Sequence, residues 1–85
     1  MTFIIYTKSE CPNCSKAKNL LQREEIVIIN CDKLLKDDRE SFINEMKRKT
    51  NLDKIIFPMI FIDDLFLGGY NELVNYIMFE LNEDF

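Results

Sequence analysis

The sequence predicts an α/β domain: a four-stranded mixed sheet in the order βαβ then ββα, flanked by three helices. Three observations predict it. Short runs rich in Ile and Phe, at residues 2–6 and 26–30, bracket a segment whose apolar residues recur at helical spacing. Two more apolar runs flank Asp63-Asp64. Helical spacing returns after residue 37 and again after Asn71.

Each element has a local reason. Thr2 to Tyr6 is a short apolar strand. A helix follows from Pro12 to Glu24: proline suits a first turn, and Cys14, Ala17, Leu20 and Leu21 share one face. Ile26 to Asn30 is the second strand, and its unbroken apolar run predicts a central place with both faces covered. Asp37 and Glu40, at capping-box spacing, open a second helix that runs to Lys49 or Thr50 and buries Phe42, Ile43 and Met46. Lys47-Arg48-Lys49 then meets the negative end of that helix. From Ile55 to Gly69 the chain reads as an antiparallel hairpin turning at Asp63-Asp64. The final helix, Asn71 to Asn82, carries Leu73, Val74, Ile77, Met78 and Leu81 inward. A right-handed crossover makes the first two strands parallel, and the hairpin completes the sheet. The order resembles the thioredoxin fold in minimal form, one domain over residues 1–85.

Composition narrows the function. Eighty-five residues make one domain, and 47% hydrophobic with 31% charged residues is the balance of a globular chain rather than a disordered one. A net charge of −4 argues against nucleic-acid binding, which needs a concentrated basic surface. Met1 is followed at once by FIIY, with no basic leader, and no apolar run approaches bilayer length. A cytoplasmic monomer without membrane partners is expected. Histidine is absent, which removes Cys–His pairs, histidine-ligated metals and a histidine general base.

Two of the three cysteines stand in TKSECPNC, where the first strand gives way to a helix. Half a zinc site, a structural disulfide and a redox-active pair compete for this motif. Zinc wants four ligands, and only Cys31 and carboxylates remain to supply them. A disulfide across two intervening residues closes too small a loop to constrain the chain much. A redox pair is favoured. Cys11 would sit at or before the helix N-cap, where free N–H groups and the helix dipole stabilise an anion and lower a thiol pKa from about 8.5 toward roughly 3.5–7.5. Lys8 would add positive charge, and Glu10 would oppose it weakly. Cys14, one turn on and facing inward with Ala17 and Leu21, would resolve the mixed disulfide that Cys11 forms. Cys31, ending the second strand, reads as a buried small side chain. Phe57-Pro58 opens a strand, a place proline tolerates. Gly68-Gly69 before the last helix allows close backbone approach and offers helix N–H groups to a carboxylate.

YTKSECPNC, FPMIFID and LGGYNEL together resemble the glutaredoxins, over essentially the whole chain. The resemblance implies a glutathione-dependent thiol–disulfide oxidoreductase with no metal required and a potential of about −200 to −230 mV. It implies that Cys11 attacks and Cys14 serves the two-thiol pathway. Lys8 would pair with a glutathione carboxylate, Phe57 would exchange main-chain hydrogen bonds with its cysteinyl unit beside a cis Pro58, and Asn71 and Glu72 would meet the γ-glutamyl end, with Gly69 giving access. Lys47 or Arg48 would serve as the polar group of the second helix. Implied partners are glutathione and disulfide-bonded or glutathionylated proteins, ribonucleotide reductase among them. A thioredoxin-like electron donor recycled by a flavoenzyme, and an iron–sulfur carrier, are the alternatives. The chain departs from the family in three places: CPNC for the commoner CPYC, Phe57 where valine is usual, and Asn71-Glu72 where an aspartate is usual.

Overall fold

The computed structural model describes residues 1–81. Its elements are β1 (Phe3–Thr7), α1 (Pro12–Leu20), β2 (Ile26–Asn30), α2 (Asp32–Asp37), α3 (Arg39–Thr50), β3 (Met59–Ile62), β4 (Leu65–Gly68) and α4 (Tyr70–Tyr76), which continues as a π-helical turn, Ile77–Leu81. The sheet order is β2-β1-β3-β4. β1 and β2 are parallel, with Phe3 opposite Ile26 and Thr7 opposite Asn30. β3 runs antiparallel to both β1 and β4. The mixed sheet with flanking helices is the one the element order predicts.

Strand alternation sorts the core onto two faces. Phe3, Ile5 and Ile60 point to one side and are fully buried against Ala17 and Leu21 of the first helical segment and Leu73 of α4. Met59 and Phe61 point to the other, against Phe42 and Met46 of α3 and Cys31. Each fully buried large side chain contributes about 1.5–3 kcal/mol over leaving it in water, so β1 and β3 hold the domain together.

The structure corrects several expectations. β2 is an edge strand, with Val27 and Ile28 each nearly half exposed (47% and 46%). An apolar run reports β propensity, but β3 takes the other side of β1 and leaves β2 outermost. The first helix ends at Leu20, not Glu24, and Leu20 is exposed (42%) while Leu21, just past it, is buried. No capping box opens the second helix: Asp37 ends the unforeseen α2, paired with Lys33 at 2.6 Å, and Asp38 precedes α3 without a side-chain cap. The expected strand from Ile55 starts only at Met59. In the last helix Leu73 is buried, yet Met78 is exposed (52%), because the π-helical turn rotates the apolar spacing away from the core. The predicted end at Asn82 lies outside the described residues.

Candidate functional site

Cys11 is the N-cap of α1, with extended backbone (φ −125°, ψ 96°) and Pro12 as the first helical residue. Its carbonyl accepts from the N–H groups of Cys14 (3.1 Å) and Ser15 (3.3 Å), and its Sγ also accepts from the Cys14 N–H, at 3.2 Å. Sulfur thus stands where a capping oxygen usually does. The side chains of Cys11 and Cys14 are joined by a disulfide, with Cα atoms 5.2 Å apart. Cys14 is buried, whereas Cys11 is partly open to solvent. The two sulfurs are therefore inequivalent, as the helical spacing predicts.

The loop from β1 to Cys11 is held from a direction the sequence does not advertise. Both the N–H and the hydroxyl of Ser9 donate to the Asp32 carboxylate. Asp32 in turn donates its N–H to the Asn30 side chain at 2.9 Å, and the neighbouring Cys31 N–H reaches the Thr7 carbonyl at 2.7 Å. The Ser9 hydrogen bonds, with help from the Lys8 charge, hold the exposed Asp32 carboxyl below the usual carboxylate range. Glu10 takes a left-handed conformation (φ 56°) that turns the chain from this anchor into α1. Ser9 and Asp32 lie 23 residues apart, and no local motif links them.

Phe57–Pro58 forms the far wall. Its peptide bond is cis. Tyr6 pairs with Met59, so the chain leaves β1 toward Cys11 at the sheet end where Phe57-Pro58 enters β3. Lys8 Nζ lies over the Phe57 ring, 5.6 Å from its centroid, a cation–π distance. Gly69 closes the same end: a Cβ there would meet the Pro58 carbonyl oxygen at 3.5 Å and Ile56 Cδ1 at 3.0 Å. The Gly69 N–H donates to the Glu72 carboxylate at 2.7 Å, so Glu72 is turned back onto the start of α4. Asn71 is exposed beside it. Lys16 of α1 lies 5.8 Å from the Tyr70 ring centroid, which links α1 to the start of α4.

Comparison with known proteins decides the family. The glutaredoxin family model matches residues 3–67. This chain belongs to the glutaredoxin family. Glutaredoxin 1 of Rickettsia prowazekii is 37% identical over 76 residues, covering 87% of this chain and 75% of that protein. Glutaredoxin 1 of Francisella tularensis, in a crystal structure with cacodylate, is 31% identical with a TM-score of 0.70, covering 96% of this chain and 98% of that one. A buckwheat glutaredoxin–glutathione complex has the same fold at 19% identity, with a TM-score of 0.73 over 89% of this chain and 67% of that one.

Glutaredoxins are thiol–disulfide oxidoreductases, and Cys11 and Cys14 are the disulfide-forming pair of this one. A cavity of about 570 Å³ lies between β1, β2 and α3 and includes none of the cysteines. A smaller groove of about 330 Å³ is lined by Lys8 and Phe57 and, like the larger cavity, by none of the cysteines; Lys8 stands three residues before Cys11. Lys47 lines this groove; Arg48 lines the larger cavity and pairs with Glu45 at 3.8 Å. Among the described residues, no three Cys, Asp or Glu side chains gather as metal donors.

Proposed function

We propose that this glutaredoxin reduces protein disulfides and protein–glutathione mixed disulfides, with glutathione as reductant. The observation that carries the reading is the asymmetry of the thiols. Cys11 is partly exposed with its sulfur turned onto a helix N–H, and Cys14 is buried one turn behind it. In the two-thiol route the Cys11 thiolate attacks one sulfur of a protein disulfide. A Cys11–protein disulfide forms and the other protein sulfur leaves as thiolate. Cys14 then attacks Cys11, closing Cys11–Cys14 and releasing the second protein thiol. Two glutathione thiols reopen the pair and leave as glutathione disulfide. In the one-thiol route Cys11 takes the glutathionyl group from a protein, and a second glutathione removes it.

The glutathione reading is supported by the groups at the same sheet end. Lys8 offers a cation for a carboxylate, and the Phe57 main chain lies just ahead of the β3 ladder, open to an extended tripeptide. Gly69 keeps the approach to Pro58 clear, and Asn71 and Glu72 stand at the start of α4 for the γ-glutamyl end. The bound glutathione of the buckwheat relative supports the same assignment. A reducing cytoplasm is the compartment this cycle suits.

The test is reduction of a glutathionylated substrate coupled to glutathione reductase, run beside the thioredoxin–reductase system. Cys11→Ser abolishes all exchange. Cys14→Ser stops reduction of protein disulfides and keeps deglutathionylation. Equal loss from both variants, or recycling only by the thioredoxin system, overturns the reading.

A further inference from the structure

The groove beside Lys8 carries more positive charge than one tripeptide uses. Four of the chain's eleven Lys and Arg residues line it, Lys8, Arg39, Lys47 and Lys54, against one of its fifteen carboxylates, Asp53. None of the four takes part in an ion pair among the described residues, where the pairs are Lys33–Asp37 and Arg48–Glu45. Asp32, whose carboxylate feels the Lys8 charge, is committed to Ser9. In a chain of net charge −4, this is a local inversion of sign.

The geometry is that of a track. Arg39, Ile43 and Lys47 are spaced by four on α3 and so form one ridge along the helix. Lys54 and Ile55 come from the loop that follows. The floor, Leu35, Ile43, Ile55 and Phe57, is apolar and half-buried. Phe57, next to Pro58, and Lys8, three residues before Cys11, form one end. A glutathione molecule at that end brings one carboxylate, that of its glycine, and leaves Arg39 and Lys54 without a counter-charge.

We infer that the groove receives an acidic stretch of the substrate protein next to its reacting cysteine, with carboxylates at Arg39, Lys47 and Lys54 and an apolar side chain on the floor. This rests on the disulfide-reducing function proposed above and names its substrate class. Apolar burial gives the segment its seat, and the charges raise the encounter rate and reject basic partners. The apolar floor and the narrow basic edge favour a peptide over a nucleic acid, which would seek a broader basic face.

The experiment uses the whole protein and three disulfide-bonded peptides that differ only in the residues flanking cysteine: Glu with Leu, Ser with Leu, and Lys with Leu. The expected kcat/KM for the acidic peptide is about tenfold above the basic one at low salt, converging at high salt. The double variant Arg39→Gln/Lys54→Gln lowers the acidic-peptide value about fivefold, leaves a small glutathione mixed disulfide unchanged, and keeps the melting temperature. Equal rates on the three peptides, with the small substrate turned over normally, overturn the inference and leave the proposed function standing. Loss of the small-substrate rate in the double variant also overturns it, by placing both residues in glutathione binding. Stronger inhibition by a short oligonucleotide than by a thiol-free acidic peptide assigns the groove to nucleic acid and overturns it too. Failure of the wild type on every substrate removes the proposed function and this inference with it.

Discussion

The structural role of Glu72 can be separated from the binding role proposed for it, and the structure gives the size of the first. Its carboxylate accepts the N–H of buried Gly69 at 2.7 Å, three residues ahead of it at the start of α4. Glu72→Ala leaves that N–H without its partner and removes a negative charge from the first turn. A hydrogen bond to a charged group is worth about 1.5–3 kcal/mol, and a carboxylate at a helix start about 0.3–1 kcal/mol. The two overlap in one contact, so the expected cost is about 2 kcal/mol. In a domain of this size that lowers the melting temperature by roughly 8–16 °C. Glu72→Gln keeps an acceptor and should cost less than half as much. Urea unfolding of the oxidised protein, followed by circular dichroism, measures both. Steady-state kinetics with glutathione then isolates the second role: a carboxylate that meets a γ-glutamyl amine raises KM in Glu72→Gln at nearly unchanged stability. A Glu72→Ala protein within about 0.5 kcal/mol of wild type would refute the capping argument, since that is the scatter of neutral surface changes.

Two further predictions follow from neighbouring geometry. Gly68 sits at φ +140°, and a Cβ there would fall 2.5–2.8 Å from Glu72 Cγ, Cβ and Oε1, so Gly68→Ala should cost at least as much as Glu72→Ala, with the double variant clearly less than additive in urea unfolding. Burial first, then the Asp32 charge, push the Cys31 thiol up from 9.0 to about 11. Its raised pKa means the stabilisation is complete below about pH 9 and is lost as pH rises toward 11, a fall of up to about 2–3 kcal/mol that should vanish from the pH profile of Cys31→Ala.

Most of the architecture was legible because its signals are local. Ile26–Asn30 matches the predicted strand at both ends, and Asp63-Asp64 turns the hairpin with Asp63 at φ 53°. Cys11 stands at a helix N-cap because Pro12 follows it and a strand precedes it. What the sequence hid depends on distant partners. The edge position of β2 is decided by which strand takes the other side of β1, and nothing in IVIIN encodes that. α2 escaped because DKLLKD spans six residues, too few to show a helical period, with Leu34 exposed and Leu35 half-buried. The Ser9–Asp32 tether was hidden for the same reason: a serine and an aspartate 23 residues apart carry no spacing signal, although Asp32 directly follows a strand whose end adjoins the motif. The cationic groove combines one helix ridge with two loops, and only the ridge could have been read beforehand.

The third cysteine differs from the first in its surroundings, although both stand at a helix start. Cys31, like Cys11, occupies an N-cap position, at the start of α2. A helix end alone would therefore predict two activated thiols. The surroundings reverse the outcome. The Cys31 sulfur is fully buried, sits next to the Asp32 carboxylate, and donates toward the Ile29 carbonyl at 3.6 Å, an arrangement that favours the protonated form. Cys11 is partly exposed and its sulfur accepts a helix N–H, with Lys8 in the preceding loop. Whether sulfur donates or accepts at the cap, and whether water can reach it, outweighs the few backbone dipoles of so short a helix as α2. Without histidine in the chain, this choice of hydrogen-bond direction is what is left to tell one thiol from another.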